Sequence, residues 1–321
     1  MVCDNVIEFE VVLADGSVVI ASTSTRPDLF RALKGGSGNF GVVTRIKIET
    51  FKHDNKMWGG MIFHKEGEET RKKIFDYFAN TYAVSGADPK AHWIQSVSFV
   101  NALILKTWSI SSSVQYTTGT TAPEIFKPVI NSDVSLISLA GPSTIIDQSQ
   151  SMANLNAPGN RQLFATLTFK RSALFMEEFF KLAQSTVPDI ENTFGLIFSI
   201  SYQALPHSYY SKGAADNSLG LEDDQDDLII ALLSVTWQLG LDDANVYGAV
   251  DRLIKGGQER ADQLGVGHNF VYLNYARASQ DPIASYGPVS VQRLRDASAK
   301  YDPNGVFQKL VPGGFKIPKI A

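Results

Sequence analysis

Gly36, Gly38 and Gly41 stand in the run KGGSGNFGVV (residues 34–43) at the spacing G-x-G-x-x-G. Between a strand and a following helix, such glycines let the backbone approach a dinucleotide pyrophosphate, which rests on the helix N-terminus. Here the flanks run in the opposite order. Pro27 at a first helical position, followed by Leu29, Phe30 and Leu33, predicts a helix that ends at Lys34-Gly35. Beyond the glycines, Val42, Thr44, Ile46 and Ile48 alternate with Val43, Arg45, Lys47 and Glu49, which is strand periodicity. Helix, glycine loop, strand is not the Rossmann order, and the plain reading is a flexible link.

Other residue sets that could do chemistry are sparse. The five histidines, His53, His64, His92, His207 and His268, are scattered and none forms His-x-x-x-His with an acid, so no metal site is expected. Glu222, Asp223, Asp224, Asp226 and Asp227 lack the central glycine and terminal Glu of a calcium loop and read as solvated loop. Neither G-x-S-x-G nor a G-x-x-x-x-G-K-[ST] phosphate loop occurs. Cys3 is the single cysteine, which excludes an internal disulfide and a cysteine-based metal cluster. In FVYLNYARAS (270–279) a strand reading puts Tyr272, Asn274 and Ala276 on one face and Val271, Leu273 and Tyr275 on the other. LLSVTWQ likewise aligns Ser234, Thr236 and Gln238. Polar residues at this spacing line a ligand pocket or face water, and aromatics on strands commonly belong to a core.

The elements that must position these residues follow from pattern. Ile7, Phe9, Val11 and Leu13 alternate up to an Asp15-Gly16 turn, which predicts a hairpin with SVVIAS. Helices are expected around 70–84, 174–187 and 243–256, each with one apolar stripe. Such stripes need a sheet face to cover, and the intervening segments read as long antiparallel strands, an α+β layer. A last helix with Val291, Leu294 and Ala297 ends before Asp302-Pro303. The tail beyond it, with Val306, Phe307, Leu310, Val311 and Phe315, is apolar enough that it should pack.

Composition sets the bounds. The 321 residues suffice for one large domain or two ordinary ones, and 44% hydrophobic with 19% charged residues is the balance of a soluble globular chain. A net charge of −4 leaves no nucleic-acid footprint, and no basic run suggests a membrane surface. The first residues show neither a basic n-region nor an apolar h-region, so no signal peptide is expected and a cytoplasmic location is the default.

Three segments taken together, CDNVIEFEVVLADGSVV, PDLFRALKGGSGNFGVVTRIKIETF and FVYLNYARAS…YGP…RLRDASAKYDPNGVFQKLVPGGFK, resemble the FAD-linked oxidases of the vanillyl-alcohol oxidase and berberine-bridge type, especially the fungal members of secondary metabolism. The resemblance covers essentially the whole chain. It implies a partial FAD-binding lobe from residues 1–52 and 268–321, and a substrate domain over 53–267. It implies FAD as cofactor, a small-molecule substrate, and hydride transfer from a C–H bond to the flavin. It places Gly38, Gly41, Val42 and Val43 beside the ADP moiety, and Asn274 and Tyr275 near the isoalloxazine ring with Tyr272 facing flavin or substrate. Tyr202, His207 and Tyr272 are three open candidates for the base. The family's N-terminal half of the flavin domain, with its pyrophosphate loop and flavin-linking histidine, has no match here. The expectation is therefore weak FAD binding by this chain alone, with self-association or a partner chain covering the open lobe. An isomerase or cyclase on the same scaffold, and a non-catalytic homologue that needs a partner, are the alternative readings.

Overall fold

The computed structural model describes residues 1–102, 105–130, 132–154 and 158–318. In chain order its main elements begin with β1 (Val6–Val12), β2 (Val18–Ser22), α1 (Pro27–Leu33), β3 (Val42–Ile48), β4 (Met57–His64) and α2 (Glu68–Tyr77). There follow β5 (Ala91–Ala102), β6 (Leu105–Tyr116), β7 (Ser135–Ser138), β8 (Gly141–Ser143), α3 (Ile145–Asn154) and β9 (Arg161–Lys170). The last are α4 (Ala173–Thr186), β10 (Ile197–Leu205), β11 (Leu228–Trp237), α5 (Asp243–Gln263), β12 (Gly267–His268) and α6 (Gly287–Tyr301). They form two compact units, one from residues 1–52, 207–226 and 269–321, the other from 53–206 and 227–268.

In the first unit β1 is the centre of a three-stranded antiparallel sheet, order β2-β1-β3. Phe9 and Val11 of β1 and Ala21 of β2 are buried, as are Leu29 and Phe30 of α1 and Leu294 of α6. Pro27 opens α1 as its sequence suggests, and Asp28 beside it accepts from Lys300 Nζ at 2.6 Å and Tyr301 Oη at 2.8 Å, which ties α1 to α6. The tail packs only in part. Phe307 and Ile317 are buried, whereas Leu310 and Val311 are exposed. Every residue of β3 is exposed, Val42, Ile46 and Ile48 each by more than half.

Residues 207–226 join this unit, although their place between strands of the middle region assigns them there by sequence. Three ties explain it. Ser218 N donates to Lys34 O (2.9 Å), Asn217 Nδ2 donates to Asp4 Oδ1 (2.9 Å), and Leu219 lies against Gly35, where a Cβ would meet its Cδ2 at 2.8 Å. His268 stays with the second unit, because Gly267 and His268 pair with β9.

The second unit is an antiparallel sheet in the order β12-β9-β11-β10-β5-β6-β4-β7, with β8 also on β4. Its register alternates two kinds of residue. Val97, Phe99, Phe198, Ile200, Leu233 and Val235 are buried beneath helices α2, α4 and α5, whose own buried stripes include Ile74 and Phe75, Phe175 and Phe179, and Val246 and Val250. Ser96, Ser98, Ser199, Ser201 and Ser234 alternate with them and are only partly buried. The Ser96 and Ser201 hydroxyls meet at 2.8 Å and Ser98 donates to Ser199 at 2.9 Å, across register partners of β5 and β10. The period-2 alternation therefore sorts an apolar, helix-covered face from a hydroxyl-bearing one. The helix expected over 70–84 is α2 followed by a π-helical turn, Phe78–Tyr82.

Two polar features lie within the covered face. Arg71 of α2 donates from Nε (3.2 Å) and Nη2 (3.0 Å) to the two carboxylate oxygens of Glu177 on α4, and its guanidinium lies 4.3 Å from the Phe180 ring centroid. Ser112 Oγ donates to Gln95 Oε1 at 2.6 Å, so it accepts from His64 Nε2 at 2.8 Å. That places the His64 proton on Nε2, while Nδ1 is buried without a hydrogen-bond partner. Burial pulls the His64 pKa down to about 4, with the Val134 backbone opposing the shift.

Candidate functional site

The glycine loop of the first unit is built for close packing. A Cβ on Gly36 would strike Ala32 O, Phe40 Cε2 (2.6 Å) and Leu294 Cδ2 (2.8 Å), and one on Gly41 would meet Val11 Cγ1 (2.5 Å) and Val12 O (2.8 Å). These two glycines let α1, α6 and β1 approach one another. Gly38, by contrast, faces open space. Between them Asn39 is fully buried. Its Nδ2 donates to Gly36 O (2.7 Å) and Phe315 O (2.9 Å), and its Oδ1 accepts from Gln308 Nε2 (2.8 Å), so the loop also holds the C-terminal tail.

Beside this loop lies a pocket of about 250 Å3, lined by Cys3, Gly35, Ser37, Tyr272, Asn274 and Tyr286 among others. FVYLNYARAS is not the strand its alternation suggests. Leu273–Tyr275 is a 3-10 turn closed by Tyr275 N to Tyr272 O (2.9 Å), and Val271 N is taken by Ser285 Oγ (3.0 Å) instead of a neighbouring strand. The turn brings Asn274 Nδ2 within 2.9 Å of Tyr272 Oη, and sets the Tyr275 ring edge-on to Tyr272 at 4.9 Å. Burial raises the Tyr272 pKa above its ordinary value, partly opposed by the Asn274 hydrogen bond. Burial also raises Tyr286, whose hydroxyl donates to Gly35 O at 3.1 Å. It pushes the Cys3 thiol up to about 11, with the Asp4 carboxylate adding to the shift.

The other expected site residues lie elsewhere. Val42 and Val43 are on the open strand β3, and Gly41 is packed on β1. Tyr202 is fully buried on β10. Its hydroxyl donates to Met176 O (2.9 Å) and its ring lies edge-on to Phe75 at 5.5 Å, so its proton is committed to the core. His207 is half-buried in the first unit, its ring edge-on to Tyr210 at 5.3 Å. The sequence reading misses Tyr286 and Gly35 as pocket residues, and takes Cys3 only as evidence against disulfides and cysteine-based metal clusters. No local pattern marks any of the three. Among the described residues no group of three or more His, Cys, Asp or Glu could hold a metal ion, and no helix is long and apolar enough to cross a membrane.

No family model matches the chain. It is 34% identical to the FAD-dependent monooxygenase elcE of Phaeosphaeria nodorum, over 99% of this chain and 94% of that protein. The chain belongs to the fungal FAD-dependent monooxygenase family. A second member, CTB5 of Cercospora beticola, is 32% identical over 99% of the chain, which spans 62% of its length. The oligopeptidase PhomG' of Diaporthe leptostromiformis is 36% identical over 99% of the chain but only 26% of its own length. The chain thus spans less than two thirds of several relatives it matches. Among solved structures, 6-hydroxy-D-nicotine oxidase from Arthrobacter nicotinovorans superimposes with a TM-score of 0.74 at 18% identity, over 98% of this chain and 66% of that one. A variant of the BBE-like 1 protein of Physcomitrella patens gives 0.71 at 14%, over 99% and 66%. This family member therefore has the α+β fold of the vanillyl-alcohol oxidase and berberine-bridge type.

Proposed function

We propose that the chain acts in an FAD-linked oxidoreductase that oxidises a small-molecule secondary metabolite, and that its first unit contacts the uncharged end of the flavin. The observation that carries this is the Tyr272–Asn274 pair beside the glycine loop, in a chain whose relatives are named FAD-dependent monooxygenases. The pocket's donor set is hydroxyl, amide, thiol and backbone, and the Met1 ammonium, which also lines it, is already paired with Asp4 Oδ2 at 2.7 Å. This set fits ring carbonyls and ribityl hydroxyls. It does not fit a pyrophosphate, whose two negative charges call for cations or a nest of N–H groups.

When bound, the flavin supplies a hydride acceptor. The chain's own part is positional. Because Asn274 Nδ2 donates to Tyr272 Oη, the phenol keeps its own hydrogen for a ligand oxygen. A phenol is protonated at neutral pH and burial strengthens that, so Tyr272 serves here as a hydrogen-bond donor. Tyr286 donates to Gly35 O and so ties the glycine loop into the pocket. The fully exposed β3 is where a second copy or a partner chain would pack, since uncovered strand edges and apolar faces favour association.

The test is to titrate the full chain with FAD and with riboflavin, following flavin fluorescence and oligomeric state. The expected result is weak binding of both within a few-fold of each other, lost in Tyr272→Phe and Asn274→Ala. FAD bound on the order of 100-fold more tightly than riboflavin would reveal a pyrophosphate site and refute this division of labour.

A further inference from the structure

The first unit carries a second cleft, of about 680 Å3, that shares no lining residue with the pocket at Tyr272. One wall is α6, through Arg295, Ser298 and Ala299, and the other is the returning tail, through Ile317 and Pro318. Arg295 Nε donates to Pro318 O at 2.9 Å, which ties the tail to the helix. Pro303 and Gly305, where the chain turns from one wall towards the other, also line the cleft. Lys309 lies over Gly305, where a Cβ would meet its Cε at 3.1 Å, so the lysine stem extends the apolar lining.

The charges of this cleft do not balance. Lys309 Nζ donates to Asn304 O and Lys316 Nζ to Phe307 O, each at 3.0 Å. A carbonyl oxygen takes one N–H of an ammonium and leaves its charge and two further donors unmatched. Among the described residues neither lysine has a carboxylate within ion-pair distance. Asp302, the one acid among the described lining residues, is buried, and its two oxygens accept from Val306 N (2.7 Å) and Phe307 N (2.8 Å). Ser298 is only 9% exposed, and its hydroxyl makes no hydrogen bond among the described residues. That hydroxyl is not sealed from solvent, so it opens into the cleft that Ser298 lines.

We propose that this cleft binds a medium-chain carboxylate, an apolar chain ending in one ionised acid group. The chain lies along Ala299, Pro303 and Ile317, and Lys309 and Lys316 take the carboxylate. Two ammonium groups match the two oxygens of one carboxylate, and the spare Ser298 hydroxyl offers a further donor. A phosphate is a poorer fit, because it calls for a nest of backbone N–H groups and Asp302 already uses those of Val306 and Phe307. An uncharged chain would leave both lysines unmatched.

The experiment titrates the full chain with octanoate, hexanoate and 1-octanol by calorimetry at low salt. Saturable one-to-one binding of octanoate is expected, at least about three-fold tighter than 1-octanol although the alcohol is the more apolar. Loss of two methylenes should make hexanoate about four- to fifteen-fold weaker. Lys309→Gln and Lys316→Gln should each weaken octanoate about two- to five-fold and leave 1-octanol unchanged within about two-fold. Added salt should weaken octanoate alone. A melting curve checks that the variants are folded, and the comparison of the three ligands on the unaltered chain tests the proposal without them. No octanoate binding, 1-octanol bound as tightly as octanoate, indifference to both lysine substitutions, or displacement of octanoate by inorganic phosphate overturns it. Binding seen only after residues 319–321 are removed overturns it too, and assigns the cleft to the chain's own end.

Discussion

The two units are held together by different means. The second buries three helix stripes on one face of a long antiparallel sheet, with a continuous core that includes Trp93, Phe175, Phe179, Tyr202 and Trp237. The first has a three-stranded sheet with one strand open throughout, and relies on particular ties such as Asn39 to the tail and Asp28 to α6. Distributed burial tolerates the loss of a methyl group, but an unpaired charge inside it is costly. A stitched unit should fail one stitch at a time.

The sharpest way to break this contrast is Glu177→Ala, which leaves Arg71 without its partner beneath the helices. A loss of about 3–5 kcal/mol is expected in urea unfolding. A much smaller loss would mean that water reaches the pair and that the second unit is looser than described.

His64 should report the same core through pH. Its folded pKa, about 4, lies below the ordinary value of 6.5, so the unfolded chain binds the proton more readily. The contribution to stability is fully present above about pH 6.5 and is lost as pH falls towards 4, by roughly 3 kcal/mol in all. His64→Gln should flatten this part of the stability–pH curve. An unchanged slope would move its source to other groups.

In the first unit Asn39→Ala leaves Gly36 O, Phe315 O and Gln308 short of partners, at a cost of about 2 kcal/mol. Hydrogen exchange should rise at residues 307–318 while the amides of β5 and β10 keep their protection. Protection lost equally in both would show that the units unfold together. Smallest of all is Ile46→Thr on β3. It should change stability by no more than about 0.5 kcal/mol yet reduce self-association seen in sedimentation, because the residue is exposed. A penalty several times larger would show that β3 is covered in solution.

Most of this architecture was legible where a pattern was long. Stripes over 70–84, 174–187 and 243–256 matched helices because each repeats for two or more turns, and the strands between them carry apolar alternation. FVYLNYARAS misled because alternation over a few residues fixes a strand only if a partner offers hydrogen bonds, and here Ser285 and a tight turn took them. Residues 207–226 were misplaced because single polar bonds to Asp4 and Lys34 leave no periodic trace. Alternation singled out Tyr272 and Asn274 as one polar face, and the family resemblance supplied their expected place near the flavin. Cys3, Gly35 and Tyr286 reach the same pocket from distant parts of the chain, which no local reading can anticipate.

The first unit is assembled from three separated stretches, 1–52, 207–226 and 269–321. On a ribosome adding about 5–20 residues per second, β1 and α1 emerge roughly 10–50 seconds before α6. Throughout that interval Leu29 and Phe30 lack α6 as a neighbour, whereas the second unit, 53–206 and 227–268, is fully synthesised before α6 begins. The order of synthesis therefore makes this hairpin and helix a waiting segment, whose partner helix follows only after the second unit is complete.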